Sequence, residues 1–462
     1  MTRPDAVVVG SGPNGLTAAA RLALSGQKVL VLEAGESIGG GTRSSELTEA
    51  GFIHDICSAI HPFGVVSPAY RAVSASIDWV TPPLAMSHPL DDGTAVALHN
   101  NISDTAGQFE GGDSREWTTL IGPLVADLDN VVETFLAARI LPNPFSKAAR
   151  IMGVHGSRSS TALADRFGSA PARALIAGLA AHAIAPLDTP FTAGIALLFA
   201  AVGNGPGWPL VRGGSQNLAS ALADMVIERG GQIVLNREVT DISEFAGSSV
   251  FLDVNPSAAR EIARRRMNPA DIVMLGRWKP GPGVFKVDYA LDGPIPWTDS
   301  LSGDAGTVHL GGSFEEIADA EAAVAAGDHV DRPFVIVAQQ SDFDPSRAPA
   351  GKRTGWAYCH VPNGSDADMT SAIESQIERF APGFAERIIT RHTTTAEALE
   401  RYNPNYVGGD IGGGEFTPGR FLPSLKNPYR VGDGLYLCSS ATPPGGGTHG
   451  MCGWNAAGAS LS

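Results

Sequence analysis

Apolar residues open the chain in a strand-sized block, AVVV from Ala6, and then recur at helical spacing through LTAAARLALSG as far as Gly26. A second block, KVLVLEAG, is long enough only for a strand and ends on Glu33. Short apolar runs bounded by glycine read as buried strands, so the order is strand, helix, strand, the pattern of a parallel unit with a crossover helix. Further on, VFKVDYAL and FVIVAQQ alternate apolar and polar positions, which predicts sheet strands that floor a cavity. TSAIESQIERFAPGF has helical spacing up to Pro382. The most apolar stretch, ALIAGLAAHAIAPLDTPFTAGIALLFAAVGNG from Ala174, is interrupted by His182, Pro186, Asp188 and Pro190. Each piece falls short of the ~20 residues that cross a bilayer. It reads as buried helices under a cavity, with a surface resting on a membrane as the alternative.

Composition narrows the class. The 462 residues suit two or three domains, and with 43% hydrophobic and 18% charged residues they can bury a large core. Lys and Arg number 33 against 48 Asp and Glu, a formal charge of -15, and no basic run tracks a phosphate backbone, so nucleic acid is not an expected partner. The 4 cysteines show no CxxC spacing, which fits a reducing compartment, and MTRPDAVVVG has no signal-peptide pattern. A cytoplasmic location is expected, at most peripheral to a membrane. The 11 histidines are scattered and predict no metal site.

Chemistry enters with the glycines between the first two blocks. In GSGPNG, Gly10 allows a tight turn, Gly12 lets the backbone approach a diphosphate, and Gly15 lets the helix pack closely on the strand, with Pro13 and Asn14 between them. The helix N-terminus behind this turn carries unpaired N–H groups and roughly half a positive charge, which favours a phosphate. Glu33, with Ala34 after it, stands where an acid accepts hydrogen bonds from a ribose, and its charge disfavours a 2′-phosphate. The ligand reads as FAD or NAD. Neither GNGPGWP, which runs into Pro209, nor GGGEFTPG, which runs into Pro418, starts a helix, so no second dinucleotide site is expected.

EAGESIGGGTRSSE places a second glycine cluster, with Gly40, Gly41 and Thr42, shortly after the acid. With GFIHDICSAIHPFG, GWPLVRGGSQNLASAL, NPNYVGGDIGGG and the terminal GLYLCSSATPPGGGTHGMCGWNAAG, this resembles the flavin amine oxidase and phytoene desaturase superfamily, and within it the bacterial phytoene-desaturase-like proteins. At Gly41 many members carry an arginine, and here Arg43 lies two positions on. The resemblance implies FAD and an α/β fold: a Rossmann-like FAD-binding domain of discontinuous segments, 1–75, 205–250 and 420–462, and an α+β substrate domain with a mixed or antiparallel sheet, 76–204 and 251–419. It also implies that the chain returns at its end to hold the flavin. Ser440 would contact the ribityl chain, Gly450 and Met451 would open a helix aimed at the ring, and the backbone of Val239 would hold the adenine.

The expected reaction is removal of a hydride from a C–H of a rather apolar small molecule, as a dehydrogenase or desaturase, with electrons leaving to oxygen, a quinone or another acceptor. An amine oxidase, an isomerase using reduced flavin and a non-catalytic protein stabilised by its flavin remain alternatives, and homo-oligomer formation is open. His449, in the loop facing the flavin, is the leading candidate for proton exchange, with a structural role as the rival. Lys286, in an alternating strand, is a candidate for a desolvated amine near the ring. Asp55, Cys57, His61, Trp208 and Trp454 are candidates for the substrate cavity, against local hydrogen bonding and packing.

Overall fold

In the computed structural model, residues 3–137, 146–421 and 427–462 are described; 422–426, at the head of the third expected segment, lie outside them. Strand β1 (Ala6–Val9) runs through the glycine turn into helix α1 (Pro13–Leu24) and on to β2 (Val29–Leu32). Strands β3 (Leu84–Pro89) and β4 (Ala95–His99) precede a helical stretch that includes α2 (Ala170–Ala180) and α3 (Thr192–Gly203). Helix α4 (Gln216–Glu228) leads to β5 (Gln232–Val234) and β6 (Ser249–Leu252), followed by α5 (Pro256–Ala263) and α6 (Pro269–Leu275). The strands β7 (Gly283–Leu291), β8 (Ala305–Leu310), β9 (Val335–Ala338), β10 (Arg353–Val361) and β11 (Ile388–Thr394) come next. The chain closes with β12 (Arg430–Gly432), β13 (Leu435–Leu437) and helix α7 (Met451–Leu461).

The first sheet has the order β12-β13-β6-β1-β2-β5, parallel except for β12. Its central strand is apolar on both faces because both are covered. Ala6 and Val8 pack with Leu16, Ala19 and Leu22 of α1, while Val7 and Val9 pack with Ala259 and Ala263 of α5 and Leu275 of α6. Helices α5 and α6 therefore belong with this sheet, although the sequence division at 250 puts them in the substrate domain. The period of their apolar residues shows that they are amphipathic but not which sheet they cover.

The last helix lies directly on the first. A Cβ on Gly453 would stand 1.8 Å from the Asn14 carbonyl oxygen, so the two backbones touch. At the far end of this contact Arg21 donates from Nη1 to the Trp454 carbonyl at 2.6 Å and stacks over the Trp454 ring at 4.2 Å.

The second sheet, β11-β7-β10-β9-β8-β3-β4, is antiparallel except for the β8–β3 pair, so it is mixed. Its strands alternate. Phe285, Val287, Val308, Val337, Ala357 and Cys359 pack on one face with Ile373, Ile377 and Phe380 of the following helical segment. The opposite face carries Lys286 paired with Tyr358, Asp288 with Trp356, and Thr307 with Ala338. Helix α3 covers the cavity as the sequence suggests, through Ile195, Leu198 and Phe199. No helix among the described residues is long and apolar enough to cross a membrane.

Candidate functional site

One cavity of about 1160 Å³ runs between the two sheets. Its wall begins at the β1–α1 turn, Gly10 to Asn14, takes in Glu33 and Ala34 at the end of β2, and continues past Gly40, Gly41 and Thr42. The turn is built for close approach. Gly10 has φ +99°, a left-handed conformation that favours glycine. Cβ atoms on Gly12 and Gly15 would lie 2.9 and 2.8 Å from Asp253 Oδ2, and one on Gly40 would lie 3.1 Å from Gly12 Cα. Glu33 ties the turn to the acid: one carboxylate oxygen accepts from Ser11 N (2.9 Å) and Ser11 Oγ (2.5 Å), the other from Gly35 N (2.8 Å) and Arg43 Nη2 (3.2 Å). Arg43 thus turns toward Glu33, with its guanidinium 5.6 Å from the Tyr402 ring centre. Val239 lines the same end beside Arg237 and Thr240.

The tail supplies another part of the wall, Ser439 to Ala441 and Pro443 to His449. Gly450, in the left-handed region at φ +68°, starts α7; it and Met451 sit behind this loop rather than in the cavity wall. His449 clasps the loop. Its Nδ1 accepts the Met451 N–H at 3.0 Å, which leaves the ring proton on Nε2, and the backbone carbonyls of Gly446 and Gly445 bond the same ring. Burial lowers its pKa to about 4, so it is neutral at physiological pH. Both nitrogens are engaged, and the geometry describes a loop clasp. His449→Ala is therefore expected to loosen flavin retention about tenfold, from hydrogen bonds worth about 1 kcal/mol each. The pH profile of flavin reduction should keep its inflections; loss of one between pH 6 and 7 would return His449 to proton transfer.

The candidate substrate residues separate into two groups. Cys57, His61 and Trp208 line the cavity. His61 bonds Ser215 Oγ through Nε2 at 2.9 Å, and Trp208 stands edge-on to Phe199 at 5.5 Å and to His182 at 5.7 Å. Burial raises the Cys57 thiol, which a hydrogen bond with Tyr406 only partly offsets. Asp55, Lys286 and Trp454 lie outside the wall. Asp55 is fully buried and joins four parts of the chain: it accepts from Ser44 Oγ and Ser215 N, both at 2.7 Å, and pairs at 2.7 Å with Arg347, which also binds Asp344. Burial alone would raise its pKa, but Arg347 and these donors hold it below the usual carboxylate range. Breaking such a pair costs roughly 3–5 kcal/mol. Lys286 pairs with Asp288, and Trp454 faces Arg21 on the outer side of α7. Asp253, Tyr402 and Tyr406 also line the cavity and were not singled out from the sequence.

The model of the NAD(P)-binding Rossmann-like domain family matches residues 8–74. Over 98% of the chain and 92% of its own length, the mouse pyridine nucleotide-disulfide oxidoreductase domain-containing protein 2 is 25% identical. A neurosporene-forming phytoene desaturase of Rhodobacter capsulatus is 26% identical over 52% of this chain and 51% of its own. Among solved structures, a putrescine oxidase redesigned in its cofactor binding superposes with a TM-score of 0.62 at 15% identity, covering 99% of this chain and 98% of that one. The chain is thus similar in sequence to phytoene desaturase-like oxidoreductases and in fold to a flavin-type amine oxidase. Although the mouse relative is named for disulfide chemistry, no disulfide joins the four cysteines of this chain.

The residues present fit FAD. The turn at Gly10 and Gly12 and the crossing of Gly40 over Gly12 leave no room for side chains where a diphosphate would lie, and the cavity is continuous from there to the tail loop. Glu33→Ala is expected to weaken FAD binding to the oxidoreductase roughly 30-fold, about 2 kcal/mol for a charge-assisted hydrogen bond and a loosened Ser11. Titration of apoprotein by quenching of flavin fluorescence reads this directly.

Proposed function

We propose that this oxidoreductase is a dehydrogenase or desaturase that oxidises a C–H of a small, largely apolar molecule, leaving a C=C or C=N bond. The observation that carries the reading is one cavity whose wall passes without a break from the glycine turn to a chamber of Phe63, Leu198, Phe199 and Trp208. The desaturase among its relatives supports the same reaction class. FAD, when bound, supplies the acceptor of the hydride.

The chain's own residues do the rest. Gly10 to Gly15 and the N-terminus of α1 would bind the diphosphate, Glu33 the ribose, the Val239 backbone the adenine end, and Ser440 the ribityl chain. The loop from Gly445 to His449 would place its backbone against the ring, and the amides opening α7 would favour negative charge there. The aromatic chamber excludes water and fixes the substrate, and orientation of this kind contributes roughly 7–11 kcal/mol at best. No strong base enters the scheme: His449 is neutral and doubly bonded, and Lys286 is held by Asp288. The absence of a disulfide among Cys57, Cys359, Cys438 and Cys452 suits a reducing compartment.

Anaerobic titration of the holoprotein tests the reading. A donor that bleaches the visible flavin band and yields an unsaturated product is the expected result. Turnover that needs prior reduction would replace it with isomerisation, and a flavin that no donor or dithionite reduces would make the cofactor structural.

A further inference from the structure

The chamber is less apolar than its helices suggest, because the sheet wall opposite them carries polar groups with no partner among the described residues. Tyr358 and Trp356, both on the cavity face of β10, line the chamber and are each 8% exposed. The Tyr358 hydroxyl makes no hydrogen bond among the described residues, and burial, with the charges of Cys57 and Glu321, raises its pKa. Trp356 Nε1 is buried without a partner. From the opposite wall comes His182, stacked on Phe199 at 4.4 Å, with its Nε2 also unpartnered. Behind it, 5.0 Å away between ring centres, His309 is fully buried with both ring nitrogens unpaired. Polar groups left unpaired in a core oppose folding; His309 is sealed from the cavity, whereas Tyr358 and His182 line it, where an occupant can meet them.

These groups also share a charge state. Burial lowers the pKa of His182 to about 3, with His360 adding to the effect, and raises that of Tyr358, so both are neutral over the working range of pH. The sheet wall of the chamber, Thr307, Ile336, Trp356 and Tyr358, presents no carboxylate. An ammonium group would be desolvated there with no carboxylate in that wall to pair with, and a pure hydrocarbon would leave the hydroxyl and imidazole unsatisfied. A carbonyl or hydroxyl oxygen accepts from such donors at no cost in charge.

We propose that Tyr358 and His182 form a polar subsite that receives a neutral oxygen function, a ketone, aldehyde or alcohol, carried by the otherwise apolar substrate. This rests on the reading above that the chamber holds the substrate, and it narrows that substrate to an oxygenated, uncharged molecule.

The test uses binding rather than turnover, so it is independent of whether any probe is oxidised. Octan-2-one, octane and octylammonium are titrated into the anaerobic holoprotein, and dissociation constants are read from the flavin band and from tryptophan fluorescence. Tyr358→Phe and His182→Phe keep the rings and remove only the hydrogen-bonding atoms; flavin content and melting temperature establish that each variant is folded. Octan-2-one is expected to bind about tenfold more weakly to each variant while octane stays within about twofold, and octylammonium is expected to bind at least tenfold more weakly than octan-2-one to the unsubstituted protein. Parallel changes for ketone and alkane, no change for either, or tight binding of the ammonium probe would overturn the proposal. A failure of the flavin to be reduced by any donor would sink the dehydrogenase reading and leave this result standing.

Discussion

Gly453→Ala is expected to yield a folded protein that has lost nearly all of its flavin. The added methyl carbon falls 1.8 Å from the Asn14 carbonyl oxygen, 2.7 Å from the Asn14 carbonyl carbon and 3.0 Å from Ala18 N. All three are backbone atoms of α1, so no rotamer change relieves the contact, and the helices must separate by an ångström or more. Overpacking of this kind costs typically 1–3 kcal/mol, and more where backbone meets backbone. Function should suffer more than stability, because α7 is joined through Gly450 to the His449 clasp, while α1 begins at the glycine turn. Moving one helix off the other separates the two walls that face each other across the cofactor cavity. We expect the ratio of visible to ultraviolet absorbance of the purified variant to fall to below about a tenth of the original, with far-UV dichroism largely preserved. Gly107→Ala, where nothing lies within 4 Å of the new carbon, is the control and should stay yellow. A Gly453→Ala protein with full flavin content and an unchanged melting temperature would show that the tail does not close the site.

What the sequence made legible follows the distance over which each feature is determined. The β1–α1–β2 unit is local: an apolar quartet, glycines at a turn, a helix behind them and an acid at the next strand end leave few alternatives. Several polar residues were harder. Asp55 in a quoted motif looks like a cavity carboxylate, yet its partner Arg347 lies far along the chain, and only the fold shows that the pair is sealed. His449 alone among glycines reads as a proton carrier until the loop is seen to curl around and satisfy both nitrogens with its own backbone. Trp454 has the spacing of a residue that could face inward, but Arg21 on the neighbouring helix draws it to the outer side. The alternation of VFKVDYAL correctly separates two faces of β7, yet the cavity is floored by β8, β9 and β10, because register across strands decides which part of a face is covered. Asp253 carried no signal at all: it follows an ordinary apolar strand, and its meaning depends on β6 lying beside β1.

That residue gives the second large expectation. Asp253 Oδ2 accepts the Gly15 N–H at 2.8 Å, so a carboxylate already occupies part of the helix N-terminus that a diphosphate would use. Burial, opposed by the Gly15 and Gly12 amides and reinforced by the charge of Glu33 just past β2, pushes its pKa up to about 7. The other titratable groups facing it, Cys438 from the tail and Tyr406 over the second glycine cluster, are themselves shifted upward and stay neutral. Because the folded pKa lies above the unfolded value of 3.8, the folded apoprotein binds the extra proton. Stability is lost as pH rises from about 4 to 7, and the full cost is present above 7. A bound diphosphate adds like charge and raises the pKa further, so above pH 7 FAD binding must take up a proton. Affinity should then fall by up to about tenfold per pH unit. Asp253→Asn keeps an acceptor for Gly15 N–H and removes the charge. It is expected to match the original protein in FAD affinity at pH 6, to bind roughly 30-fold more tightly at pH 8.5, and to show an apoprotein melting temperature that pulls ahead of the original's from about pH 4 upward and by the full margin above pH 7. Fluorescence titrations of apoprotein between pH 6 and 9 decide the matter. An original protein whose affinity is flat across that range, or an Asn variant that binds more weakly at pH 8.5, would mean that the Asp253 carboxylate does not compete with the diphosphate and instead supports its binding while charged.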